Sequence, residues 1–426
     1  MPDLVLERLL GWIDAAPSPY HAAHNAANDL VTSGFDRFGP SDEWGDSDRI
    51  VVSWGGVVVA AAFSTQLNPD RLRFRLVGAH TDSPNLRIKP NPDLSQVGYR
   101  QLGVEIYGGV LLNSWLDRDL GISGRVVVGD QNSWETHLIQ VDRPLLRVAQ
   151  LAIHLDRDVN DGLKLDRQSH LVPIWGLGDT EEGAFSSFLA DELGVNHSDV
   201  LSWDIMCHDL TPASPLGRNE EFYVAPRIDN LASCHAALEA LSGIETVEED
   251  TISVVALFDH EEVGSESSSG ARGPMLSNAL ERLAATRAVS REQFLRALTK
   301  SSCVSADGAH AVHPNYVDRH EPQHRVALNA GPVIKLNANV RYATDAESSA
   351  LFQAACQSAD VPFQQYAHRT NLLCGSTIGP ITAAQLGMSV VDVGSPQLSM
   401  HSAREMAGSS DPAYLTSALS AFLADT

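Results

Sequence analysis

Two adjacent glutamates follow a short, buried-looking apolar strand. Thr251-Ile252-Ser253-Val254-Val255-Ala256-Leu257 leads into Phe258-Asp259-His260-Glu261-Glu262-Val263-Gly264. Adjacent carboxylates repel, and burying either one without a partner is costly unless a cation or a proton offsets it. The chain also carries His80-Thr81-Asp82 after another apolar strand, Asp229 at a helix start, and His401 near its end. Together these residue types suggest a two-metal hydrolase in which one glutamate holds metal and the other moves a proton. Taken alone, Glu261 and Glu262 read equally well as two solvated loop charges.

Each remaining piece has a chemical and a structural reading. On extended chain, His80 and Asp82 point the same way. His80 then offers a ring nitrogen to a metal while Asp82 orients the ring, or the two form a structural hydrogen bond. Asp229 has two oxygens that could bridge two cations, and it also suits a helix N-cap. Ligands of open α/β sheets bind beyond the carboxyl ends of strands, where His80, Glu261, Glu262, Asp307 and His401 are expected. Spacing does not separate Asp307 from Asp345 or Asp392.

The elements that must position these residues alternate along most of the chain. A helix is predicted over Leu4–Ser33, then strands near 50–54, 56–62 and 72–77. From about Arg87 to Tyr223 the texture changes to short strand signals, with a hairpin over 126–141 and a long loop over 156–182. From Asp229 the pattern is again helix and strand: a helix to Gly243, strand 251–258, a helix through Leu298, strands at 301–306 and 333–340, and a helix at 346–358. A strand at 362–367, a helix at 378–386, a strand at 389–393 and a last helix over 404–423 follow. This predicts an α/β fold, a layered catalytic domain with a central mixed sheet flanked by helices. The expected boundaries are 1–87 and 225–426 for the catalytic domain, with 88–224 as an inserted β-rich block.

With 426 residues and 43% hydrophobic content, the chain has ample material for a large core. Its net charge of −24, from 54 acidic and 30 basic residues, argues against nucleic acid and anionic membranes as partners. Five widely spaced cysteines with no C-x-x-C motif fit reduced thiols in a cytoplasmic protein. Met1-Pro2-Asp3-Leu4 has no basic, apolar leader character. The apolar run 57–63 is too short to span a bilayer.

Several stretches resemble the aspartyl aminopeptidase family of zinc peptidases, in order and over nearly the whole chain. They are Val77–Pro84, Arg227-Ile228-Asp229-Asn230, Phe258–Ser265, Ser305–Tyr316, Lys335–Asn339, Gly375–Pro380 and Met400–Glu405. The resemblance implies two zinc ions sharing Asp229, one also held by His80 and Asp307 and the other by Glu262 and His401. It implies Glu261 as general base in removing one N-terminal residue, with acidic first residues (Asp or Glu) preferred and Lys335 binding that side chain. Mn2+ or Co2+ could replace Zn2+ in such donors. Tyr342 is a candidate donor to the tetrahedral intermediate, or a core residue. Lys335 could instead pair a nearby carboxylate. His154 is implied to reach an active site, that of a neighbouring subunit, as a substrate or metal contact; a structural histidine fits as well, and the same holds for His170, His235, His310 and His313. His260 stands where many relatives carry Asn. Relatives use the inserted block to dimerise and build dodecamers, so a homo-oligomer is expected. A di-zinc N-acyl amino acid deacylase and a non-catalytic assembly or cargo protein are the alternative functions.

Overall fold

A computed structural model describes residues 2–424; Met1, where the predicted leaderless start begins, lies outside them. Thr251–Phe258 is buried at every position, as a strand covered on both faces must be. It lies inside a nine-stranded mixed sheet. In sheet order the strands are Asp36–Phe38, Arg49–Trp54, Val57–Phe63, Thr251–Phe258, Arg73–His80, Ser302–Ala306, Ser389–Gly394, Val333–Leu336 and Gln364–Ala367. Four neighbours, from Thr251–Phe258 to Ser389–Gly394, run parallel, so their carboxyl ends share one edge. Register pairs Phe258 with His80 and Ala306 with Val393.

Alternate residues feed two cores. Val255 and Leu257 pack with helices Pro19–Thr32, Ile228–Ser242, Ala346–Ser358 and Asp411–Ala424. Val254, Ala256 and Phe258 pack with helices Met275–Ala285, Arg291–Leu298 and Ile378–Leu386. Each fully buried aliphatic or aromatic side chain contributes about 1.5–3 kcal/mol, and that sum holds the strand ends in place. A five-stranded sheet that includes Phe222–Ala225 and Glu405–Gly408 completes this unit.

The chain divides into two compact units. The first takes residues up to Asp82, Ala213–Met400 and Glu405 onward; the second takes Ser83–Pro212 and His401–Arg404. The second unit is built on a six-stranded antiparallel sheet. The predicted hairpin is present, with Val126 opposite His137. Helix Ala184–Leu193 covers the sheet through Phe185 and Leu189.

Several elements differ from the sequence expectation. The first helix is two, Pro2–Asp14 and Pro19–Thr32. Pro17 disfavours helical backbone at the residue before it, and Ser18 caps a new start by accepting the His21 amide, with Pro19 in the tolerated first turn. The helix expected through Leu298 is also two, because Ser290 forms a capping box with Gln293 and begins Arg291–Leu298 anew. Strand Val333–Leu336 is shorter than expected. The loop over 156–182 contains strand Ile174–Leu177. The last helix starts at Asp411, after strand Glu405–Gly408. There Asp411 is wholly buried and accepts the amides of Asn329 and Gly331, which pins the helix start.

Candidate metal centre

His80 ends its strand with its ring buried, 1% exposed. Its Nε2 stands 3.5 Å from Asp229 Oδ1 and 3.5 Å from Asp307 Oδ1. That is too long for a hydrogen bond. Two ligand atoms each about 2.1 Å from one tetrahedral ion stand about 3.4 Å apart, so the spacing is that of donors around zinc. The ligand atoms of His80, Asp229 and Asp307 all lie within 4.8 Å of one another, as do those of His80, Glu261 and Glu262. One imidazole and two carboxylates fit a zinc site with an open position.

The field at this edge favours positive charge. Burial lowers the proton affinity of His80, but Asp229, Asp307 and Asp82 overcome it, and its pKa rises well above the ordinary value. Burial likewise raises the Glu261 pKa strongly; His80 opposes this, and Asp307, Glu262 and Asp82 add to it. Asp307 differs. Burial would raise its pKa too, yet Lys335 and then His80 hold it well below the ordinary carboxylate range.

Asp82 fixes both neighbours. Its Oδ1 and Oδ2 accept the amides of Glu261 and Glu262, each at 3.1 Å. On the other side His80 Nδ1 lies 3.0 Å from the Asp82 carbonyl oxygen and 3.4 Å from Oδ1. Asp229 is not the cap of its helix; Arg227 takes that position, and Asp229 has non-helical angles inside the first turn. Its amide donates to Glu405 Oε2 at 2.9 Å. Next to it, Asn230 Nδ2 donates to the Ala306 carbonyl at 2.8 Å, tying the helix start to the strand that delivers Asp307. Neither Glu405 nor Asn230 has a spacing that marks it for this work, although both stand inside the stretches that carry the family resemblance.

Gly394 permits a close approach on the same edge. A Cβ there would stand 1.7 Å from the Asp307 carbonyl oxygen. Gly394→Ala must therefore displace the Asp307 segment. We expect a loss of about 1–3 kcal/mol in stability together with weaker zinc uptake, read by urea unfolding and metal titration. Unchanged zinc affinity would show that Asp307 does not depend on this contact.

Lys335 is 2% exposed; its Nζ donates to the carbonyls of Asp307 and Gly308, each at 3.1 Å, and lies 3.6 Å from Asp307 Oδ2. The Tyr342 ring lies 5.2 Å from that Nζ. Burial, and then the adjacent Cys374 thiol, push the Tyr342 phenol far above its usual pKa. His260 turns into its own loop, its Nδ1 2.8 Å from Ser267 Oγ. His401 belongs to the second unit, where Nδ1 lies 3.0 Å from the Gly109 carbonyl oxygen. His154, also in the second unit, is exposed on a turn flanked by exposed Leu151, Ile153 and Leu155.

Strand-end carboxylates around a buried histidine define a metal-dependent hydrolase of the α/β class. The family model described as aminopeptidase I zinc metalloprotease, peptidase M18, matches residues 12–423, and the chain belongs to that family of zinc-dependent aminopeptidases. It is 50% identical over 420 residues to the probable M18 family aminopeptidase 2 of Streptomyces coelicolor, covering 97% of this chain and 96% of that one. Its fold matches a chain in the cryo-EM structure of the Ape4 and Nbr1 complex with a TM-score of 0.94 at 36% identity, covering 99% of this chain and 86% of that one. A chain of the S. cerevisiae mApe1 dodecamer structure matches at a TM-score of 0.85 and 25% identity, covering 99% of this chain and 96% of that one. Among the described residues no helix is long and apolar enough to cross a membrane.

Proposed function

We propose that this chain removes single N-terminal residues from peptides, with preference for Asp and Glu, at a centre for two zinc ions. His80 and Asp307 would hold one ion, Glu262 and His401 the other, with Asp229 shared. Mn2+ or Co2+ could substitute. The spacing of His80 from Asp229 and Asp307 carries this reading. Zinc, when bound, polarises the scissile carbonyl and makes a water more acidic. Glu261 takes a proton from the attacking water and returns it to the leaving nitrogen. Asp82 keeps Glu261 and Glu262 in place through their amides. Lys335 keeps Asp307 ionised and supplies the cation that an acidic first residue would seek. Tyr342 donates to the developing oxyanion.

We further propose that the 83–212 unit builds a homo-oligomer, for which the S. cerevisiae dodecamer is the precedent. His154 would then contact substrate or metal in a neighbouring subunit. The five cysteines are all free, which supports a reducing, cytoplasmic setting.

The test is a comparison of Asp-, Glu- and Leu-headed peptides with N-acyl amino acids, alongside zinc analysis. Cleavage of the N-acyl substrates in place of peptides would make the chain a deacylase, and no turnover of any substrate would favour an assembly role. Lys335→Met resolves the lysine's part. We expect the Asp-over-Leu ratio of kcat/KM to fall at least about tenfold, near 1.4 kcal/mol. A uniform fall for all substrates, with weaker zinc binding, would assign Lys335 to Asp307 alone.

A further inference from the structure

A cavity of about 610 Å³ opens among helices Pro2–Asp14, Pro19–Thr32 and Ile228–Ser242 of the first unit, and no part of the proposed reaction uses it. We propose that it binds a small organic cation, an ammonium or guanidinium group on a short apolar body. Its wall carries Trp12, Asp29, His235, Leu238, Glu239 and Arg8. The size suits a small-molecule site, which pairs apolar walls with a few placed polar groups.

His235 is 5% exposed. Its Nε2 stands 3.8 Å from Glu239 Oε1, beyond hydrogen-bond reach, and no closer polar partner of the ring exists among the described residues. Burial lowers its pKa to about 4, so near neutrality the ring is uncharged and offers a nitrogen acceptor to the cavity. A buried polar group of this kind asks for a donor.

The charge of the wall sets the sign of the ligand. Arg8 is the one permanent cation of the wall, and its guanidinium already pairs with Glu239 at 2.5 Å. Asp29 then remains as surplus negative charge. Although Asp29 is exposed over part of its surface, partial burial raises its pKa; the Trp12 indole N–H, at 3.1 Å, opposes this and Glu239 adds to it. A ligand cation would relieve that cost and find the Trp12 ring as a cation–π wall. Leu30 and Leu238 accommodate an aliphatic body.

The test uses the intact chain, n-butylguanidinium and its uncharged isostere n-butylurea, with binding followed by calorimetry and indole fluorescence. The cation should bind saturably and at least about tenfold more tightly than the urea. Asp29→Asn should weaken the cation at least about tenfold, and Trp12→Phe should abolish the fluorescence change. The fluorescence response separates this site from any cation held near the zinc donors, and peptide cleavage is not part of the readout. If Asp29→Asn does not fold, Glu239→Gln removes one negative charge from the same wall and frees Arg8 to neutralise Asp29, which should weaken the cation likewise. Equal binding of cation and urea, no saturable binding, or binding indifferent to both substitutions would overturn the proposal.

Discussion

Glu261→Gln should lower kcat by about 10²–10⁴-fold and leave zinc content unchanged. Glutamine keeps the shape of the side chain and one acceptor oxygen, but it cannot take a proton from water. The backbone of this residue is held independently, because Asp82 accepts its amide at 3.1 Å. The substitution therefore removes the proton carrier without moving the strand end. KM should change far less than kcat, as expected when an interaction is used only in the transition state. The His80, Glu261 and Glu262 ligand atoms lie within 4.8 Å of one another, so geometry alone would also allow Glu261 to bind metal. Metal analysis on the same preparation separates the two roles. Loss of zinc together with activity would make Glu261 a ligand, and retained turnover would move the base to Glu262.

Much of the frame is legible in the chain, for identifiable reasons. Thr251–Phe258 reads as a covered strand because it is short, apolar and followed at once by charge. The breaks are less legible. Pro17-Ser18-Pro19 interrupts a pattern whose apolar spacing continues across it, and only the Ser18 cap shows where the second helix begins. Asp307, Asp345 and Asp392 are indistinguishable by spacing, yet the structure gives them different work. Asp345 caps a helix by accepting the Ser348 amide at 2.8 Å. Asp392 is fully buried and accepts from Thr377 Oγ1 at 2.5 Å and the Ala343 amide at 2.6 Å. Asp307 alone of the three faces His80 and Lys335. The support from Glu405 and Asn230 is illegible for a different cause. A side chain that holds a distant backbone amide or carbonyl has no spacing signature, because its partner can be any residue.

Asp82 is the residue whose loss should spread furthest. Asp82→Ala leaves the amides of Glu261 and Glu262 without their acceptor. An unsatisfied amide costs about 1–3 kcal/mol when fully buried; these two belong to part-buried residues, so stability should fall by about 1–3 kcal/mol in total, measured by urea unfolding. His80 also loses the carboxylate 3.4 Å from its Nδ1. Outer partners of metal-binding histidines are typically worth about 10–100-fold in metal affinity, and we expect a loss of that size in competition with a zinc chelator dye. Asp82→Asn separates the two effects. It keeps the volume and one oxygen, so one of the two amides regains an acceptor and stability should recover only in part. Its NH2 group meets an amide donor and carries no charge to support the imidazole, so zinc affinity should remain low. Full recovery of zinc affinity in Asp82→Asn would mean that Asp82 serves only the backbone of the glutamate pair, and that His80 is oriented by the Asp82 carbonyl alone.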